Sequence, residues 1–299
     1  MGLARGAIRL LMQEASRKPF AGRIATLGRQ TISVSGGEFA RLLAERGGSP
    51  QTIASPRVDD RTLFTALGFS EVASIDYSDY EGATHIFDLN QPDLPEKLKG
   101  QFDVVLDSGT LEHVFHVPNA LKNICAMVKV GGRIIMQTPS SNHFDHGFYM
   151  FSPTLFFDYF TANRFAIDTL HVIRYSPDPA QQWDVYQYQP GKWDDLQCGG
   201  LDGNPYLIFV VATKTAQSTG DVIPQQGFYA ASSPLFAGAR TATASPSSLP
   251  QNESAPGKTS MHARLGALLK KLPLADRLAR KILRRIRKTL WSKQKVGSV

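Results

Sequence analysis

The chain has 299 residues, which is enough for one large domain with additional segments or for two smaller domains. Its composition, 42% apolar and 10% aromatic, is typical of a chain that buries a substantial core. Two cysteines exclude a disulfide framework, so a reducing, intracellular setting is expected. Residues 1–20 show no secretory signal, and no run reaches the roughly 20 apolar residues that span a bilayer. These features predict a cytoplasmic protein, soluble or peripheral on the inner face of the membrane.

The net charge of +7 is distributed unevenly along the chain. From residue 262 onward there are twelve Lys or Arg residues and a single acidic residue, Asp276, so this segment carries +11 and residues 1–261 carry −4. The basic character therefore belongs to the C-terminal segment alone.

Residues 5–17 have the apolar spacing of a short amphipathic helix. After it, apolar runs typical of strands alternate with helical patterns. Strands are predicted at 22–27, 71–76, 84–88, 102–107 and 132–138, and helices at 36–46, 60–67, 118–129 and 153–162. Because strands that alternate with helices pair in parallel through crossovers, we expect an α/β fold with a mostly parallel, doubly wound sheet.

Two further strands are predicted at 166–174 and 205–213, as an antiparallel hairpin at the edge of the sheet, which gives seven strands in all. The loop between them is rich in aromatic residues. Together with Tyr149, which precedes the first of these strands, four aromatic residues of the loop could form a wall for an acceptor such as a sugar ring, or they could only pack the loop onto the sheet: Trp183, Tyr186, Tyr188 and Trp193.

The composition divides the chain into three parts. Residues 1–216 are predicted to form the α/β domain, and 217–261, dominated by Ser, Ala, Pro, Gly and Thr, a flexible linker. Within the linker, Phe228, Tyr229 and Phe236 could still attach to the domain. Residues 262–299 are predicted to form a basic amphipathic helical tail, in which Leu and Ile recur at intervals of three and four residues.

Three kinds of partner suit this tail over residues 262–295. The apolar stripe and Trp291 favour an anionic membrane surface, and a groove on a protein partner is the next alternative. Nucleic acid is disfavoured because the preceding domain is acidic and would not extend a basic surface.

The ends of the predicted strands are where an open parallel sheet binds its ligands. Gly28 follows the first strand and permits a sharp turn close to a ligand. Asp76 ends the second strand and is suited to accept hydrogen bonds from two ribose hydroxyls. Asp88 ends the third and could accept from an adenine amine, with Leu89 against the ring, although each of these residues also suits an ordinary turn.

The fourth strand carries a more specific motif. The run FDVVLDSGTLEHVFHVPNALKNICAMVKVGGRIIMQTPSSNH, from residue 102 to 143, resembles the second half of a class I S-adenosylmethionine-dependent methyltransferase domain, and FSPTLFFDYFTANRF at 151–165 resembles the helix that follows. The likeness extends over about 20–215 and is specific at 102–165. It implies a Rossmann-like fold, S-adenosylmethionine as cofactor, and a cofactor site that includes Gly28, Asp76, Asp88, Leu89, Asp107 and Glu112.

The first loop departs from the family pattern. An acidic residue and three glycines at alternate positions are usual there, whereas this chain has Thr26, Gly28, Gln30 and Ile32. The glycines and the acid hold the methionine part of the cofactor, so this half of the site is in doubt, unless Gly36 and Gly37 serve a rearranged loop. The nucleoside half, with Asp76 and Asp88, is better kept.

The resemblance implies transfer of a methyl group to an oxygen or nitrogen, which requires positioning of the acceptor and a base for its proton. The candidates are His143 and His146, after the fifth strand, and His113, because a histidine titrates near working pH. Alternatively, Glu112 and His113 only cap a helix, and the other two bond to backbone. The spacing of His143 and His146, with Asp145 between them, could suggest a metal site. Such a site is not expected, because no third ligand is evident.

These observations favour methyl transfer to a small molecule or a glycan, the latter in surface polysaccharide biosynthesis. The alternative is a non-catalytic domain of the same fold that acts as a scaffold or regulator at the membrane surface. Another nucleotide-binding Rossmann enzyme is less favoured, because no Gly-x-Gly-x-x-Gly follows the first strand.

Overall fold

The computed structural model describes residues 2–45, 47, 56–176, 178, 181–193, 201–227 and 295–299. The predicted linker beyond residue 227, with Phe228, Tyr229 and Phe236, and the predicted tail helices up to residue 294 lie outside the described residues.

The described elements follow the predicted order. The helices are α1 Arg5–Arg17, α2 Gly36–Ala44, α3 Asp60–Ala66, α4 Val117–Met127 and α5 Pro153–Ala162. The strands are β1 Gly2–Leu3, β2 Arg23–Leu27, β3 Thr31–Ile32, β4 Glu71–Asp76, β5 His85–Ile86, β6 Phe102–Ser108, β7 Val128–Pro139, β8 Ala166–Arg174, β9 Asp184–Gln187, β10 Tyr206–Thr213 and β11 Lys295–Ser298. Short 3₁₀ turns occur at Glu96–Leu98 and Leu111–His113. Each helix and strand predicted for these residues is confirmed, with bounds that differ by a few residues.

Within the described residues, the main sheet has nine strands in the order β11-β9-β8-β10-β7-β6-β2-β4-β5. From β5 to β7 the neighbours are parallel, and from β7 to β11 they are antiparallel. The α/β class is confirmed, but the predicted seven strands, the mostly parallel pairing and the position of the hairpin are wrong, since half of the neighbouring pairs are antiparallel. Strand β9 pairs with β8, and β11 with β9, so the β8–β10 pair lies inside the sheet. Both added strands have four residues, too few for a clear periodic signal.

Helices cover both faces of this sheet. Helices α4 and α5 pack on one face, in a core that includes Val105, and α1, α2 and α3 pack on the other, in a core that includes Val104 and Leu106. Successive side chains of a strand point to opposite faces, which is why β6 contributes to both cores. Cys125 of α4 is buried in the first core.

Residues 295–298, predicted as part of the helical tail, form strand β11 instead. The backbones of Val299 and Trp183 exchange two hydrogen bonds, of 2.9 and 2.8 Å, and both side chains are buried. The Trp183 ring lies against Gly6 of α1, where a Cβ atom would lie 2.3 Å from it. The C-terminus is therefore part of the domain.

No helix in the described ranges has both the length and the apolar character required to cross a membrane.

The predicted linker also begins later than residue 217. The carbonyl of Gly220 accepts a 2.7 Å hydrogen bond from Tyr159 Oη, and that of Val222 accepts 2.9 Å from Asn163 Nδ2. The N–H of Gly227 donates to Asp158. Residues up to 227 are therefore held against α5 and the turn that follows it.

The aromatic residues between β8 and β10 do not form one wall. Trp183 packs with α1 in one core, whereas Tyr188 lies in the core on the opposite face, with Trp193 and Tyr149 against it. Tyr186 is buried as well. Of the two alternatives, the structure shows packing onto the sheet.

Candidate functional site

Three strand ends meet at Gly28, Asp76 and Thr110, the strand-tip cluster. Gly28 has φ +68°, and its N–H donates to the Ile75 carbonyl at 2.7 Å. A Cβ atom on Gly28 would lie 3.5 Å from both Asp76 Oδ2 and Thr110 Oγ1. The glycine therefore leaves a small space between a carboxylate and a hydroxyl, at the edge where such sheets bind ligands. Thr110 is an additional residue of this site that was not predicted, although it lies in the turn of the quoted motif.

The loop after β2 is built differently from a glycine-rich loop. Arg29 binds Asp60 through two nitrogens, at 2.7 and 2.8 Å, and the buried Gln30 amide donates to the Leu27 carbonyl at 3.1 Å. The chain then continues into β3, which pairs with β1. Thr26, at the position of the family's acid, is fully buried within the sheet.

The two glycines considered for a rearranged loop lie in the first turn of α2. Ser35 caps this helix, accepting from the N–H of Glu38 at 3.2 Å, and Gly37 has no atom within 4 Å of the position of a Cβ. An open space is thus present beside Gly37, in the first turn of this helix.

Asp76 is held in a fixed orientation. Its Oδ1 accepts hydrogen bonds from the backbone N–H groups of Tyr77, at 2.6 Å, and Ser78, at 3.4 Å. The other oxygen, Oδ2, is the one nearest Gly28. A carboxylate anchored through one oxygen is well suited to accept from the hydroxyls of a ribose with the other.

The third strand end is a local turn. Asp88 Oδ1 accepts from both the backbone and the side-chain nitrogen of Asn90, at 2.9 and 2.8 Å, and these hydrogen bonds lower the pKa of Asp88. Leu89 is 5% exposed and packs in the core below α4, so it offers little surface to a ring. The adenine role of these two residues stays a prediction.

Asp107 organises the turn after β6. It is fully buried, and its Oδ1 accepts from the N–H groups of Thr110 and Leu111 at 3.1 and 3.2 Å. Its Oδ2 has no hydrogen-bond partner among the described residues. Burial is the main cause that raises the pKa of Asp107 to about 7.

Glu112, in the 3₁₀ turn that follows, is also fully buried, and neither carboxyl oxygen has a hydrogen-bond partner in the described part of the chain. Burial, and then the charge of Asp107, raise the pKa of Glu112 to about 8. Its backbone carbonyl accepts 2.8 and 3.3 Å hydrogen bonds from the N–H groups of Phe148 and Tyr149. A Cβ on Gly147 would lie 2.9 Å from that carbonyl oxygen, so only glycine permits this approach.

Two of the three histidines predicted as bases face this carboxyl group, and the third lies beside one of them. Glu112 Oε1 lies 3.6 Å from His146 Nε2 and 3.9 Å from His113 Nε2. The ring of His143 lies 5.8 Å from that of His146, centre to centre, and stacks on Tyr175 at 5.6 Å. Burial lowers the pKa of His113 and of His143. We call Glu112 and these three residues the carboxyl–histidine cluster.

The loop after β7 brings two of the histidines to this place. Asn142 and Asp145 have φ of 64° and 62°, left-handed conformations that Asn and Asp tolerate better than most residues. The Asn142 amide donates to the carbonyls of Asp202 and Asn204 at 2.9 and 2.6 Å. Distant backbone therefore anchors the loop, and the sequence around His143 carries no signal of it.

The residues present fit the nucleoside part of S-adenosylmethionine better than its methionine part. Asp76 Oδ2 faces the space that Gly28 leaves open, and the orphaned oxygen of Asp107 lies in the turn beside it. The acid and the later glycines of the usual first loop are replaced by Thr26, Gln30 and Ile32, which the structure uses for packing and hydrogen bonds within the fold.

Comparison with solved structures gives distant likenesses. The chain is similar to 1,6-didemethyltoxoflavin N1-methyltransferase from Burkholderia thailandensis, with 16% identity, a TM-score of 0.37, and coverage of 71% of this chain and 80% of that one. It is similar to TehB from Haemophilus influenzae, with 13% identity, a TM-score of 0.37, and coverage of 69% of this chain and 61% of that one. It is also similar to the N-methyltransferase NodS from Bradyrhizobium japonicum, with 13% identity, a TM-score of 0.36, and coverage of 71% of this chain and 96% of that one. Such low identities and TM-scores carry no conclusion about the acceptor. No curated protein sequence matches significantly.

A family model described as a methyltransferase domain matches residues 35–189, just over half of the chain. The matched range begins after β2 and the unusual loop, and it contains Asp76, Asp107 and the whole carboxyl–histidine cluster. The protein therefore belongs to the methyltransferase-domain family, class I enzymes whose methyl donor is S-adenosylmethionine.

Proposed function

We propose that the protein transfers the methyl group of S-adenosylmethionine to an oxygen or nitrogen atom of a small molecule. The supporting observation is that one turn joins two groups of residues. Thr110 lies beside Gly28 and Asp76, and Glu112, two residues later, faces His113 and His146. A nucleoside-sized ligand and an acceptor would thus share the turn after β6.

Each group of residues has a separate task in this proposal. When bound, S-adenosylmethionine supplies a methyl group activated by a sulfonium. Asp76 accepts hydrogen bonds from the ribose hydroxyls, and Asp107 holds the turn by accepting from two backbone N–H groups. Fixing the two reactants on one rigid turn supplies part of the rate enhancement, because the methyl group and its acceptor must be aligned.

The histidines receive the proton that the acceptor loses. The Nε2 atom of His143 is buried and has no hydrogen-bond partner among the described residues, so its lone pair is free to accept a proton in one tautomer. His113 and His146 have their Nε2 atoms toward Glu112. A base within reach of the acceptor typically accelerates such a step by about 10²–10⁴.

Exposed phenylalanines beside this cluster suggest the type of acceptor. Phe115, Phe144 and Phe148 are 61, 93 and 66% exposed, and the first and last meet edge to face at 5.8 Å. They favour an acceptor with an apolar part. The Trp and Tyr residues that suggested a glycan are buried or packed against the cores on opposite faces of the sheet, so a role in polysaccharide biosynthesis stays a prediction with no support from the described residues.

Calorimetry of the full chain with S-adenosylmethionine and S-adenosylhomocysteine tests the proposal. We expect both to bind, and Asp76→Ala to weaken binding at least about tenfold, since a hydrogen bond to a charged group contributes ~1.5–3 kcal/mol. Asp79→Ala, an exposed aspartate of the same loop, is the matched control and should bind like the wild type. A folded protein that binds neither compound at millimolar concentration would contradict the proposal.

A folded protein that binds neither S-adenosylmethionine nor S-adenosylhomocysteine would support the alternative, a non-catalytic scaffold or regulator. The observation that favours it is the first loop, where Arg29 and Gln30 are bonded to other residues of the domain. Such bonds would stabilise a loop that no longer needs to receive a ligand.

For the tail we propose contact with an anionic membrane surface or, as the second alternative, a protein partner. The support is the sequence pattern of residues 262–294, all outside the described residues. Truncation is an unsuitable test, because residues 295–299 belong to the sheet. Replacement of Arg284, Arg285, Arg287 and Lys288 by Gln in the full chain should instead abolish flotation with anionic vesicles. Equal flotation of this variant and the wild type would exclude the membrane role.

A further inference from the structure

We propose that Glu112, His113 and His146 bind a divalent transition-metal ion. Each of the three residues offers one ligand atom, and these atoms all lie within 4.8 Å of one another. Glu112 is fully buried, whereas the two histidines reach solvent from its outer side, so an ion could enter.

The distances are close to those of a metal site. Bonds of about 2.0–2.2 Å to nitrogen and oxygen place neighbouring ligand atoms of a tetrahedral ion about 3.4 Å apart. Glu112 Oε1 lies 3.6 Å from one imidazole nitrogen and 3.9 Å from the other. Small rotations of the exposed His113 and His146 side chains would shorten these two distances to about 3.4 Å.

The backbone that carries these ligands is already ordered. Glu112 and His113 belong to one 3₁₀ turn, which the buried Asp107 carboxylate holds through two N–H groups. His146 is brought beside it because the Phe148 N–H binds the Glu112 carbonyl and Gly147 allows the close approach. Binding an ion would therefore order little additional chain.

The buried carboxyl group gives the strongest reason for a ligand here. Burial of a carboxylate is costly unless hydrogen bonds or an opposite charge compensate it. Neither Glu112 oxygen has a hydrogen-bond donor, and among the described residues its ion-pair partners are only His113 and His146. A cation shared by the three would supply the missing charge. The proposed ligands differ from the set considered from the sequence, because only His146 is common to both, and Glu112 and His113 come from the turn after β6.

The ligand set indicates which ions would bind. Two imidazoles and one carboxylate suit Zn²⁺, Co²⁺, Ni²⁺, Fe²⁺ or Mn²⁺, whereas Mg²⁺ and Ca²⁺ prefer oxygen ligands. Three protein ligands leave at least one position open, as in catalytic zinc sites. On the proposed function, this position would take the acceptor oxygen and favour its deprotonation, with the proton passing to His143. This role rests on the proposed function, whereas ion binding does not.

Titration of the chelator-treated full chain with Co²⁺, followed by visible absorption, and with Zn²⁺, followed by calorimetry, tests the site. We expect one ion per chain. Glu112→Gln and His146→Ala should each weaken binding by at least about 100-fold, since loss even of a residue that only supports a ligand costs up to that much. His116→Ala, an exposed histidine near α4, is the matched control and should leave affinity unchanged.

If Glu112→Gln, a substitution at a buried residue, impairs folding, His146→Ala still tests the site, because His146 lies on an exposed loop. Absence of cobalt and zinc binding by the wild type, or unchanged affinity in folded His146→Ala, would overturn the proposal in favour of a metal-free carboxyl–imidazole cluster. Calorimetry with S-adenosylhomocysteine on the same samples separates the two proposals. Nucleoside binding without metal binding would contradict only the metal site, and the reverse only the methyl transfer.

Discussion

Oε1 of Glu112 lies 3.6 Å from Nε2 of His146, although the first residue belongs to the turn after β6 and the second to the loop after β7. The backbone of the same loop donates two hydrogen bonds to the Glu112 carbonyl. The two segments are thus bonded to each other at the main chain as well as facing each other through side chains. A substitution that separates them should therefore affect the chemistry more than the fold.

Gly147→Ala is the direct test of this connection. The new Cβ would lie 2.9 Å from the Glu112 carbonyl oxygen and 3.1 Å from Glu112 Cγ, so the two loops must move apart. We expect a loss of about 1–3 kcal/mol of unfolding free energy, as for other overpacked sites, and a fall in kcat of at least about tenfold. Affinity for S-adenosylhomocysteine should be unchanged, because the strand-tip cluster is not displaced.

Gly203→Ala controls for the loss of a glycine, since its Cβ would meet no atom within 4 Å. It should resemble the wild type in urea denaturation and in turnover. If Gly147→Ala keeps full kcat, the approach of the two loops is structural only.

Gly28→Ala should weaken the binding of S-adenosylmethionine. The left-handed φ of +68° costs a residue with a Cβ about 1–2 kcal/mol, and the added methyl would occupy the space between Asp76 and Thr110. We expect stability to fall by that amount and affinity, measured by calorimetry, to fall at least about tenfold.

Gly100→Ala separates these two effects. Gly100 has φ +59° and an open surrounding, so it should show a similar loss of stability with unchanged affinity. Equal affinities in the two variants would show that the space beside Gly28 receives no ligand.

Stability should depend on pH through His171 of β8, which is buried beside Gln187 of β9. Burial, and then the charge of Arg17, lower the pKa of His171 to about 4, below its ordinary value of 6.5. The unfolded chain therefore binds more protons between these values, so stability present above pH 6.5 is lost as the pH falls towards 4. The shift corresponds to about 3 kcal/mol.

His171→Gln removes the titrating group and should flatten the slope of unfolding free energy against pH in this window. His116→Gln, at an exposed histidine, should keep the wild-type slope. Parallel curves for His171→Gln and the wild type would assign the acid sensitivity to other residues.

Val299→Ala tests whether the C-terminus stabilises the domain. Val299 is 4% exposed and Val296 is 58% exposed, although both belong to the same terminal segment. Because full burial of a valine contributes about 1.5–3 kcal/mol, Val299→Ala should lower the midpoint of urea denaturation clearly and Val296→Ala only slightly. Similar midpoints for the two variants would contradict the docking of this strand.

Much of the fold could be predicted because the signals are local. The apolar runs that became β2, β4, β6 and β7 and the periodic segments that became α1, α4 and α5 each reveal their type within a few residues. Strands β9 and β11 could not be predicted in this way. They have four residues each, and β11 exists because the edge of β9 is available to it.

The candidate site also has one part that could be predicted from the sequence and one part that could not. Asp76 and Gly28 could be found because parallel strands end at one edge of a sheet, so position along the chain implies proximity. The opposite faces taken by Trp183 and Tyr188, and the meeting of Glu112 with His146, depend on where loops return after leaving the sheet. By itself the sequence determined the order of the elements, the strand-end carboxylates and the family. Only the tertiary structure decided which loop side chains meet, because contacts between segments distant in sequence depend on packing and leave no periodic pattern in either segment.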